Sequence, residues 1–378
     1  MSAVNAYLLG RPGARRRLNT PALVLDLDRF EANVARMAAI AAGHGIALRP
    51  HAKTHKCAEI ARRQLAAGAV GQCCAKLGEA EALADRGIGG LLLTSPVVTA
   101  EGIARLIALA RRTSGTAVVV DHPANVRDLA EAAAAAGIML DVLVDQDVGL
   151  ARTGVASVAD GVRLAQEVDG HASLRFRGMQ AYAGHAMHVA GSESRRAVLE
   201  EAAAKARALR AALEQAGLAP GIITGAGTGS FDVDPDFGLF TELQVGSYIF
   251  MDREYGDIWS SAGERVPFEP ALFIQTTVIS ANHAGHATTD AGCKAFATEA
   301  GPPLIVDGAA ADAIYGFYGD EHGMVRYGAS GERSATGDVI TCLTPHCDPT
   351  VNLHDHYHVV RGDDLVALWP VDARGRAQ

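Results

Sequence analysis

The sequence lacks an excess of basic residues. In a chain of 378 residues, 34 lysines and arginines stand against 43 aspartates and glutamates, so the formal net charge is -9 and the isoelectric point is about 5.9. Proteins that bind nucleic acids or anionic membranes generally present a basic patch. The charge balance therefore argues against both kinds of partner.

Long apolar runs and paired cysteines are also missing. No run approaches the ~20 residues of a membrane span, and residues 1–17 contain no apolar stretch typical of a secretory signal. Arg15, Arg16 and Arg17 are more typical of a solvated segment than of a targeting address. The six cysteines contain no CxxC spacing, and adjacent Cys73 and Cys74 are poor disulfide partners. We therefore expect a reduced, cytoplasmic protein.

Strand-like and helix-like segments alternate along much of the chain. A strand at Ala22–Asp26 and a helix from Arg29 to Gly43 come first. The strand-like runs that follow are Ala47–Lys53, Ala69–Lys76, Gly90–Pro96, Thr116–Asp121, Leu140–Asp145, Phe176–Tyr182, Ile222–Thr224 and Glu242–Tyr248. Most are separated by segments of helical period, such as Gly102–Arg112 and Glu193–Ala216. Eight strands alternating with helices predict an α/β fold, a parallel (β/α)8 barrel.

The pattern changes after about Val266. Short β-like segments follow, including Leu272–Ser280, Val339–Leu343 and Leu365–Leu368, with glycine-rich turns between them. This change predicts a second, smaller domain of mostly antiparallel β sheet. We expect the barrel to span residues 21–262 and the β domain to comprise residues 1–20 and 263–378.

Two clusters carry residues suited to catalysis. Lys53, in the run Arg49–Lys56, ends the first barrel strand, where such barrels place reactive side chains. His346 and Asp348 stand two residues apart, and a histidine with a carboxylate suits a divalent cation. A Schiff-base lysine with a metal site indicates carbonyl chemistry on an amino acid. The alternatives are a solvated lysine and a structural hydrogen bond between His346 and Asp348.

Other polar residues follow predicted strands at the same end of the barrel. They are Asp145, Asp147 and Arg152 after the fifth strand, Tyr182, His185 and His188 after the sixth, and Gln244, Gly246 and Ser247 at the eighth. We expect Arg49 and partial burial to lower the pKa of Lys53, because only a neutral amine attacks a carbonyl.

A glycine-rich run, Thr224–Ser230, follows the seventh predicted strand. It lacks the P-loop pattern, but glycines let backbone N–H groups converge on an anion. Barrels often bind phosphate at their last strands. The run therefore indicates either a phosphate site or a flexible turn.

These motifs together resemble the fold-type III pyridoxal-phosphate enzymes, whose barrel is that of alanine racemase. The motifs are Arg49–Lys56, Gly149–Gly154, Thr224–Ser230, Thr241–Tyr248, Asp320–Gly323 and Pro345–Asp355. The resemblance spans about residues 18–375. Within the family the chain is most similar to the D-threonine aldolase and D-serine dehydratase group.

The resemblance implies a role for each matching residue. Lys53 binds pyridoxal 5'-phosphate covalently, Arg152 lies near its phenolic oxygen, Tyr182 packs against its ring and Gln244 faces the ring nitrogen. Thr224, Gly227, Thr228, Gly246 and Ser247 match the phosphate-binding segments. His188 matches a histidine that acts as a base, and His346 and Asp348 match a metal pair. A glutamine in place of a cation is expected to leave the ring nitrogen unprotonated, which makes a weaker electron sink.

Asp348 separates two related chemistries. The resemblance implies that the dehydratase branch has a cysteine two positions after the histidine, and a thiolate is a soft ligand for zinc. A histidine with a carboxylate suits Mn²⁺ or Mg²⁺, with Zn²⁺ as the alternative. Cys347, between them, is expected to point away in an extended segment. Asp348 therefore favours the aldolase.

The resemblance implies a pyridoxal-phosphate- and metal-dependent aldolase that cleaves D-3-hydroxy amino acids, such as D-threonine, to glycine and acetaldehyde. One alternative is a 3-hydroxy-D-aspartate aldolase that gives glycine and glyoxylate. The others are a D-serine or 3-hydroxyaspartate dehydratase and a non-enzymatic cofactor-binding protein. The resemblance also implies a homodimer.

Three late histidines invite a metal interpretation. His354, His356 and His358 alternate, so on a strand they would share one face. We favour an exposed strand face over a metal cluster. The resemblance places Asp320–Gly323 and Asp290–Lys294 near the entrance of the active site. Lys294 has a weaker context for chemistry than Lys53.

Overall fold

The computed structural model describes residues 4–378, which form two compact units. The barrel unit comprises Arg36–Lys53, Ala58–Gly246 and Gly375–Gln378. The sheet unit comprises the chain up to Ala35, Thr54–Cys57 and Ser247–Arg374.

The described strands are β1 (Ala22–Asp26), β2 (Ala47–Leu48), β3 (Gln72–Cys74), β4 (Leu91–Leu93), β5 (Ala117–Val120), β6 (Leu140–Asp145), β7 (Leu174–Ala181), β8 (Ile222–Gly225), β9 (Glu242–Leu243), β10 (Leu272–Ser280), β11 (His286–Thr289), β12 (Leu304–Asp307), β13 (Ile314–Phe317), β14 (Gly323–Arg326), β15 (Val339–Leu343), β16 (His356–Arg361) and β17 (Asp364–Pro370).

The α-helices of the same residues are α1 (Leu27–His44), α2 (Ala58–Ala66), α3 (Leu77–Ala84), α4 (Ala100–Arg112), α5 (Pro123–Ala135), α6 (Val158–Asp169), α7 (Ser192–Gln215), α8 (Arg253–Ser260) and α9 (Cys347–Val351). Across residues 4–378, none combines the length and the apolar character needed to cross a membrane.

The barrel unit contains one parallel sheet in the order β2-β9-β8-β7-β6-β5-β4-β3. A parallel bridge between His51 and Cys73 joins the chain after β2 to β3 and so closes the ring. The Cys73 N–H donates to the Pro50 carbonyl at 2.8 Å across this seam. The predicted (β/α)8 barrel is therefore confirmed.

Burial explains why these short segments form the barrel. Leu91–Leu93 and Ala117–Val120 are buried along their whole length, as expected for parallel strands with both faces covered. The helices between them turn an apolar face inward; in α4 that face includes Ile103 and Leu106. Gly178, at φ 144°, lies where a Cβ would overlap the Ile222 carbonyl, so only glycine lets β7 and β8 approach there.

The sheet unit contains nine strands, and all of its pairings except one are antiparallel. Its main path runs β13-β14-β11-β10-β1-β16-β17, and β15 pairs with both β10 and β12. Leu8, Ala14 and Leu18 pack with Phe273 and Leu343 in a small apolar cluster. The predicted second, mostly antiparallel β domain is present.

The strand β1 belongs to the nine-stranded sheet. It pairs antiparallel with β10 and parallel with β16. The expected boundaries at residues 20 and 262 remain a prediction, but contacts place residues 22–35 and 247–262 in the sheet unit. The partners of β1 lie far away in the sequence, which a local pattern does not reveal.

Candidate active site

Lys53 follows β2, but the strand is shorter than the predicted Ala47–Lys53, because β2 ends at Leu48. Lys53 is in a short 3-10 turn, Ala52–Thr54, and its side chain is exposed. Its backbone N–H lies 3.4 Å from His51 Nδ1, and His51 Nε2 lies 3.1 Å from Thr94 Oγ1. The turn is thus tied to the chain that follows β4.

The Arg49 side chain is held by contacts within the barrel unit. Its guanidinium forms two hydrogen bonds with Glu242, at 2.7 and 2.8 Å, and a third with the Gly90 carbonyl. Glu242 begins β9 and Gly90 precedes β4, so the guanidinium lies at the amino ends of the strands. The Glu242 carboxylate holds the guanidinium there. The expected lowering of the Lys53 pKa by Arg49 stays a prediction.

Arg152 and Tyr182 come together at the carboxyl ends of β6 and β7. The guanidinium carbon lies over the tyrosine ring, 5.7 Å from its centroid. Asp147 Oδ1 shapes the loop before Arg152 by accepting the N–H groups of Gly149 and Ala151, at 2.9 and 3.0 Å. The arginine is exposed and the tyrosine half-buried, so the pair presents a cation and part of an aromatic ring to a ligand.

Gln244 is part of a buried polar network inside the barrel end. Its Nε2 donates to Gln180 Oε1 at 3.1 Å and to Thr224 Oγ1 at 3.0 Å. Gln180 Nε2 donates in turn to Asp145 Oδ1 at 2.9 Å, and the Thr153 hydroxyl donates to Asp145 Oδ2 at 2.7 Å. Burial raises the pKa of Asp145.

Gln180 and Thr153 were not identified from the sequence. The available signal was Gln180 itself, a long polar residue two positions before Tyr182 on an otherwise apolar strand end. The network commits both amide hydrogens of Gln244, so its carbonyl oxygen is the atom left to accept a hydrogen bond. A carbonyl oxygen facing a ring nitrogen accepts a hydrogen bond only if that nitrogen is protonated. The expected unprotonated nitrogen stays a prediction.

The glycine-rich run forms an ordered loop after β8. The Gly227 N–H donates to Ser230 Oγ at 3.0 Å, and Ser230 Oγ donates to Asp234 Oδ2 at 2.6 Å. Asp234 is almost fully buried, and burial raises its pKa to about 7. Thr228 is also buried. The Gly227 N–H is therefore used within the loop. The choice between a phosphate site and a flexible turn stays a prediction.

His188 lies in the connection between β7 and α7 and is exposed. Its neighbour Met187 packs directly on the glycine-rich loop: a Cβ at Gly227 would overlap the Met187 sulfur, and one at Gly229 would overlap its carbonyl. The structure thus brings the His188 connection and the glycine-rich loop together. Gly246 lies two residues after Gln244 and is buried. It is the last residue of the barrel-unit segment Ala58–Gly246.

The sheet unit carries Ser247, His346 and Asp348. Ser247 Oγ donates to Asp348 Oδ1 at 3.4 Å. His346 Nδ1 lies 2.9 Å from Glu299 Oε1 and 3.5 Å from Glu254 Oε2, two carboxylates that were not identified from the sequence. A carboxylate behind one ring nitrogen is the usual arrangement of a metal-binding histidine, because it fixes the ring with the other nitrogen outward.

The segment from His346 to Asp348 is not extended, which corrects the prediction. His346 precedes α9, and Asp348 lies in its first turn. The helix is anchored by the Cys347 N–H, which donates to Asp252 Oδ2 at 2.7 Å. Cys347 is fully buried, and burial raises the pKa of its thiol well above the usual range.

Two donors fit a divalent cation that completes its coordination with water and substrate. An imidazole nitrogen and a carboxylate oxygen are suitable ligands for Mn²⁺, Mg²⁺ or Zn²⁺. Within residues 4–378 no group of three or more histidine, cysteine, aspartate or glutamate side chains is arranged to hold a metal.

The other late residues have structural roles. His358 is buried rather than on an exposed strand face: its Nδ1 lies 3.1 Å from the Leu23 carbonyl and its Nε2 2.9 Å from Asn5 Nδ2. Burial lowers its pKa. The expectation is wrong for His358 because Asn5, in the N-terminal segment, contacts its ring. Lys294 is exposed and pairs with Glu321.

Two positions of backbone strain lie next to candidate residues. The described residues other than glycine with positive φ are Asn5, Lys56, Ala151, Ala226 and Met251. Ala151 precedes Arg152, and Ala226 precedes Gly227. Such conformations cost about 1 kcal/mol or more and persist where surrounding contacts impose them, often at functional sites.

The donor set of the barrel unit fits pyridoxal 5'-phosphate. An exposed lysine after β2 suits its aldehyde, and a cation stacked on an aromatic ring suits its phenolic oxygen and ring. A glycine-rich loop after β8 lies where barrels commonly bind phosphate. These three features occur at the carboxyl ends of strands of one closed sheet.

Comparison with known proteins agrees with this chemistry. Residues 25–254 match the family described as alanine racemase, N-terminal domain, and residues 271–360 match a putative serine dehydratase domain. The chain is 41% identical over 360 residues to the D-threonine aldolase of an Arthrobacter species, covering 95% of this chain and 93% of that protein. It is 39% identical over 363 residues to the 3-hydroxy-D-aspartate aldolase of Paracoccus denitrificans strain Pd 1222, with the same coverage.

A solved structure extends the comparison to the fold. The chain superposes on the crystal structure of D-threonine aldolase from Filomicrobium marinum with a TM-score of 0.90 and 40% identity, covering 96% of this chain and 97% of that one. The chain therefore belongs to the alanine racemase-like family, in the branch that contains the D-threonine and 3-hydroxy-D-aspartate aldolases.

Proposed function

We propose that the protein is a pyridoxal-phosphate- and divalent-metal-dependent aldolase, a carbon–carbon lyase that cleaves D-3-hydroxy amino acids. D-Threonine, which gives glycine and acetaldehyde, is the leading substrate. The observation that supports this most is Asp348 two residues after a carboxylate-backed His346. A hard donor pair suits an ion that binds a hydroxyl oxygen, and the chain's similarity to aldolases over 95% of its length agrees.

The barrel unit would hold the cofactor. Lys53 would bind it covalently, Arg152 would contact the phenolic oxygen, Tyr182 would pack against the ring and Gln244 would face the ring nitrogen. Thr224, Gly227, Thr228, Gly246 and Ser247 would surround the phosphate. When bound, pyridoxal phosphate supplies an electron sink for the pair released at the substrate Cα.

His188 would act as the base. It would remove the proton from the substrate β-hydroxyl; the oxygen electron pair then forms the carbonyl, and the Cα–Cβ bond breaks. His346 and Asp348 would hold the cation, which supplies a Lewis acid that lowers the pKa of that hydroxyl. His188 is exposed, so a substrate can reach its ring.

Substrate turnover tests this proposal directly. The purified protein with pyridoxal phosphate and Mn²⁺ is incubated separately with D-threonine, 3-hydroxy-D-aspartate, D-serine and L-threonine, and the products are identified. Acetaldehyde with glycine from D-threonine supports it. Glyoxylate with glycine from 3-hydroxy-D-aspartate alone keeps the aldolase chemistry and changes the substrate. Ammonia with a keto acid, or comparable turnover of L-threonine, overturns it.

The proposal includes a homodimer in the cytoplasm, supported by the family resemblance and by reduced cysteines throughout the described residues. Analytical ultracentrifugation of the holoenzyme checks the oligomeric state. A monomer at micromolar concentration would contradict it.

A further inference from the structure

The connection that carries His188 is fixed to the glycine-rich loop by packing. We call residues 184–191 the His188 segment. Met187 of this segment occupies the space that side chains at Gly227 and Gly229 would need, and Ser230 Oγ lies 3.9 Å from the Met187 sulfur. This packing does not by itself fix the orientation of the backbone in the His188 segment, because a flexible methionine side chain can pack in many ways.

Arg195 supplies a directional tie between the same two elements. It lies in the first turn of α7 and its side chain is fully buried. Nη1 donates to the Val189 carbonyl at 3.2 Å, and Nη2 donates to Asp232 Oδ2 at 3.1 Å. Val189 is next to His188, and Asp232 is two residues past the glycine-rich loop. One guanidinium therefore joins the backbone beside His188 to the chain beside the loop.

A buried arginine is costly, so its presence needs a physical reason. Removing a guanidinium from water costs several kcal/mol unless its partners compensate, and an apolar residue would usually satisfy the packing of a helix at lower cost. What an apolar residue cannot supply is two hydrogen bonds of fixed direction to two different segments.

We propose that Arg195 is a positioning residue that acts through His188. It holds the His188 segment against the chain beside the glycine-rich loop, so that the imidazole is in place when the substrate hydroxyl arrives. This inference rests on the proposed function, because it assumes that His188 is the base. It assigns Arg195 no contact with substrate or cofactor.

The neighbouring residue offers a matched control. Arg196 has the same side chain and also pairs with an aspartate, Asp236, but both partners are about half exposed. Its replacement removes one arginine and one ion pair from the same turn of the same helix. An effect that is seen for Arg195→Ala and not for Arg196→Ala is then due to the buried hydrogen bonds of Arg195.

A double-mutant cycle on the holoenzyme tests the proposal. With D-threonine, Arg195→Ala should lower kcat by at least about tenfold with a smaller change in KM, because displacing a reactive group by about 1 Å costs up to a hundredfold. In a His188→Ala background the same substitution should lower kcat by less than about twofold, since residues that act through one another are not additive. Arg196→Ala should stay within about twofold of the wild type.

Two further variants guard against a folding defect. Arg195→Lys keeps the charge and should recover part of kcat, and Asp232→Asn removes the ion pair at a less buried position and should lower kcat by a smaller factor than Arg195→Ala. Hydrogen exchange in residues 184–191 should be faster in Arg195→Ala than in Arg196→Ala.

The outcomes separate this inference from the proposed function. Equal losses from Arg195→Ala in both backgrounds, or no loss in either, overturn the positioning role while leaving the aldolase intact. Full kcat in His188→Ala overturns both the base assignment and the positioning role. If no substrate is cleaved, the proposed function fails, and unchanged exchange of residues 184–191 in Arg195→Ala separately overturns the tie.

Discussion

The Arg152 guanidinium lies over the Tyr182 ring, with its central carbon 5.7 Å from the ring centroid. A cation over an aromatic face at an exposed position gains about 0.5–1 kcal/mol, which corresponds to about two- to fivefold in a binding constant. If Arg152 contacts the cofactor, the ring that orients it contributes to cofactor affinity.

Tyr182→Leu should therefore weaken pyridoxal-phosphate binding by at least about twofold, since it removes the stacking surface as well as the packing against the cofactor ring. Tyr182→Phe keeps the ring and should bind as the wild type does. Titration followed by cofactor absorbance measures the dissociation constants. Equal affinity in Tyr182→Leu and the wild type would remove Tyr182 from the site.

Lys53→Ala should abolish covalent cofactor binding. Lys53 is the exposed lysine in the turn after β2, and the reaction with an aldehyde needs its amine. Borohydride treatment followed by mass spectrometry should detect a cofactor adduct in the wild type and none in the variant. Lys294→Ala, at an exposed lysine paired with Glu321, is the control and should retain the adduct. An adduct in Lys53→Ala would show that another lysine serves.

The barrel was predictable because its signal is local. Short, fully buried apolar runs alternating with amphipathic helices occur at successive positions, and each strand end marks a place for a functional residue. For this reason Lys53, Arg152 and Tyr182 could be placed at strand ends from the sequence.

The remaining features depend on partners that are distant in the sequence. The strand β1 finds its partners in β10 and β16, the Arg49 guanidinium is held by Glu242, and His346 is backed by Glu299. None of these pairs has a spacing that a local pattern detects. The helix at Cys347 depends likewise on Asp252, 95 residues earlier.

The Asp234 carboxyl should make stability depend on pH. Burial raises its pKa from 3.8 to about 7, so between these values the folded state holds a proton that the unfolded state has lost. The stability that depends on protonated Asp234 is therefore fully present below pH 3.8. It is lost as the pH rises towards 7, and the free energy of unfolding falls by up to about 4 kcal/mol.

Asp234→Asn keeps an acceptor for Ser230 Oγ but does not titrate. Urea denaturation at about pH 5 and about pH 8 measures the free energy of unfolding of both proteins. Relative to the wild type, the variant should be more stable at the higher pH than at the lower one by a few kcal/mol. The comparison between proteins cancels other titrating groups. A constant difference between the two proteins would mean that Asp234 keeps an ordinary pKa.

The Arg49–Glu242 pair should matter for stability and not for turnover. Both side chains are largely buried, with 12% and 8% exposure, and the pair lies at the amino ends of the strands. Arg49→Met leaves Glu242 buried without its partner and should cost about 3–5 kcal/mol of unfolding free energy. Arg105→Ala, which breaks a more exposed pair with Glu81, should cost no more than about 1 kcal/mol. A reduced kcat in the folded Arg49→Met protein would contradict this division.

Metal removal should abolish cleavage while leaving the cofactor in place. If the cation held by His346 and Asp348 activates the β-hydroxyl, its loss removes an electrophile worth several kcal/mol, or on the order of a thousandfold in rate. Chelated wild type and Asp348→Ala should both show this loss and keep the visible absorption of the bound cofactor. Added Mn²⁺ should restore the chelated wild type far better than the variant.

Glu299 distinguishes a metal site from a structural hydrogen bond. Its Oε1 lies 2.9 Å from His346 Nδ1 and should orient the ring, so Glu299→Gln is expected to weaken metal affinity by about 10- to 100-fold without removing a ligand. Saturating Mn²⁺ should then restore turnover in Glu299→Gln but not in Asp348→Ala.

Asp348→Cys should shift metal preference towards Zn²⁺, since a thiolate is a softer donor. Metal content and D-threonine turnover are measured in parallel for all variants. Full activity in metal-free protein would return His346 and Asp348 to a structural role, because a cation that is dispensable for cleavage cannot be what activates the hydroxyl.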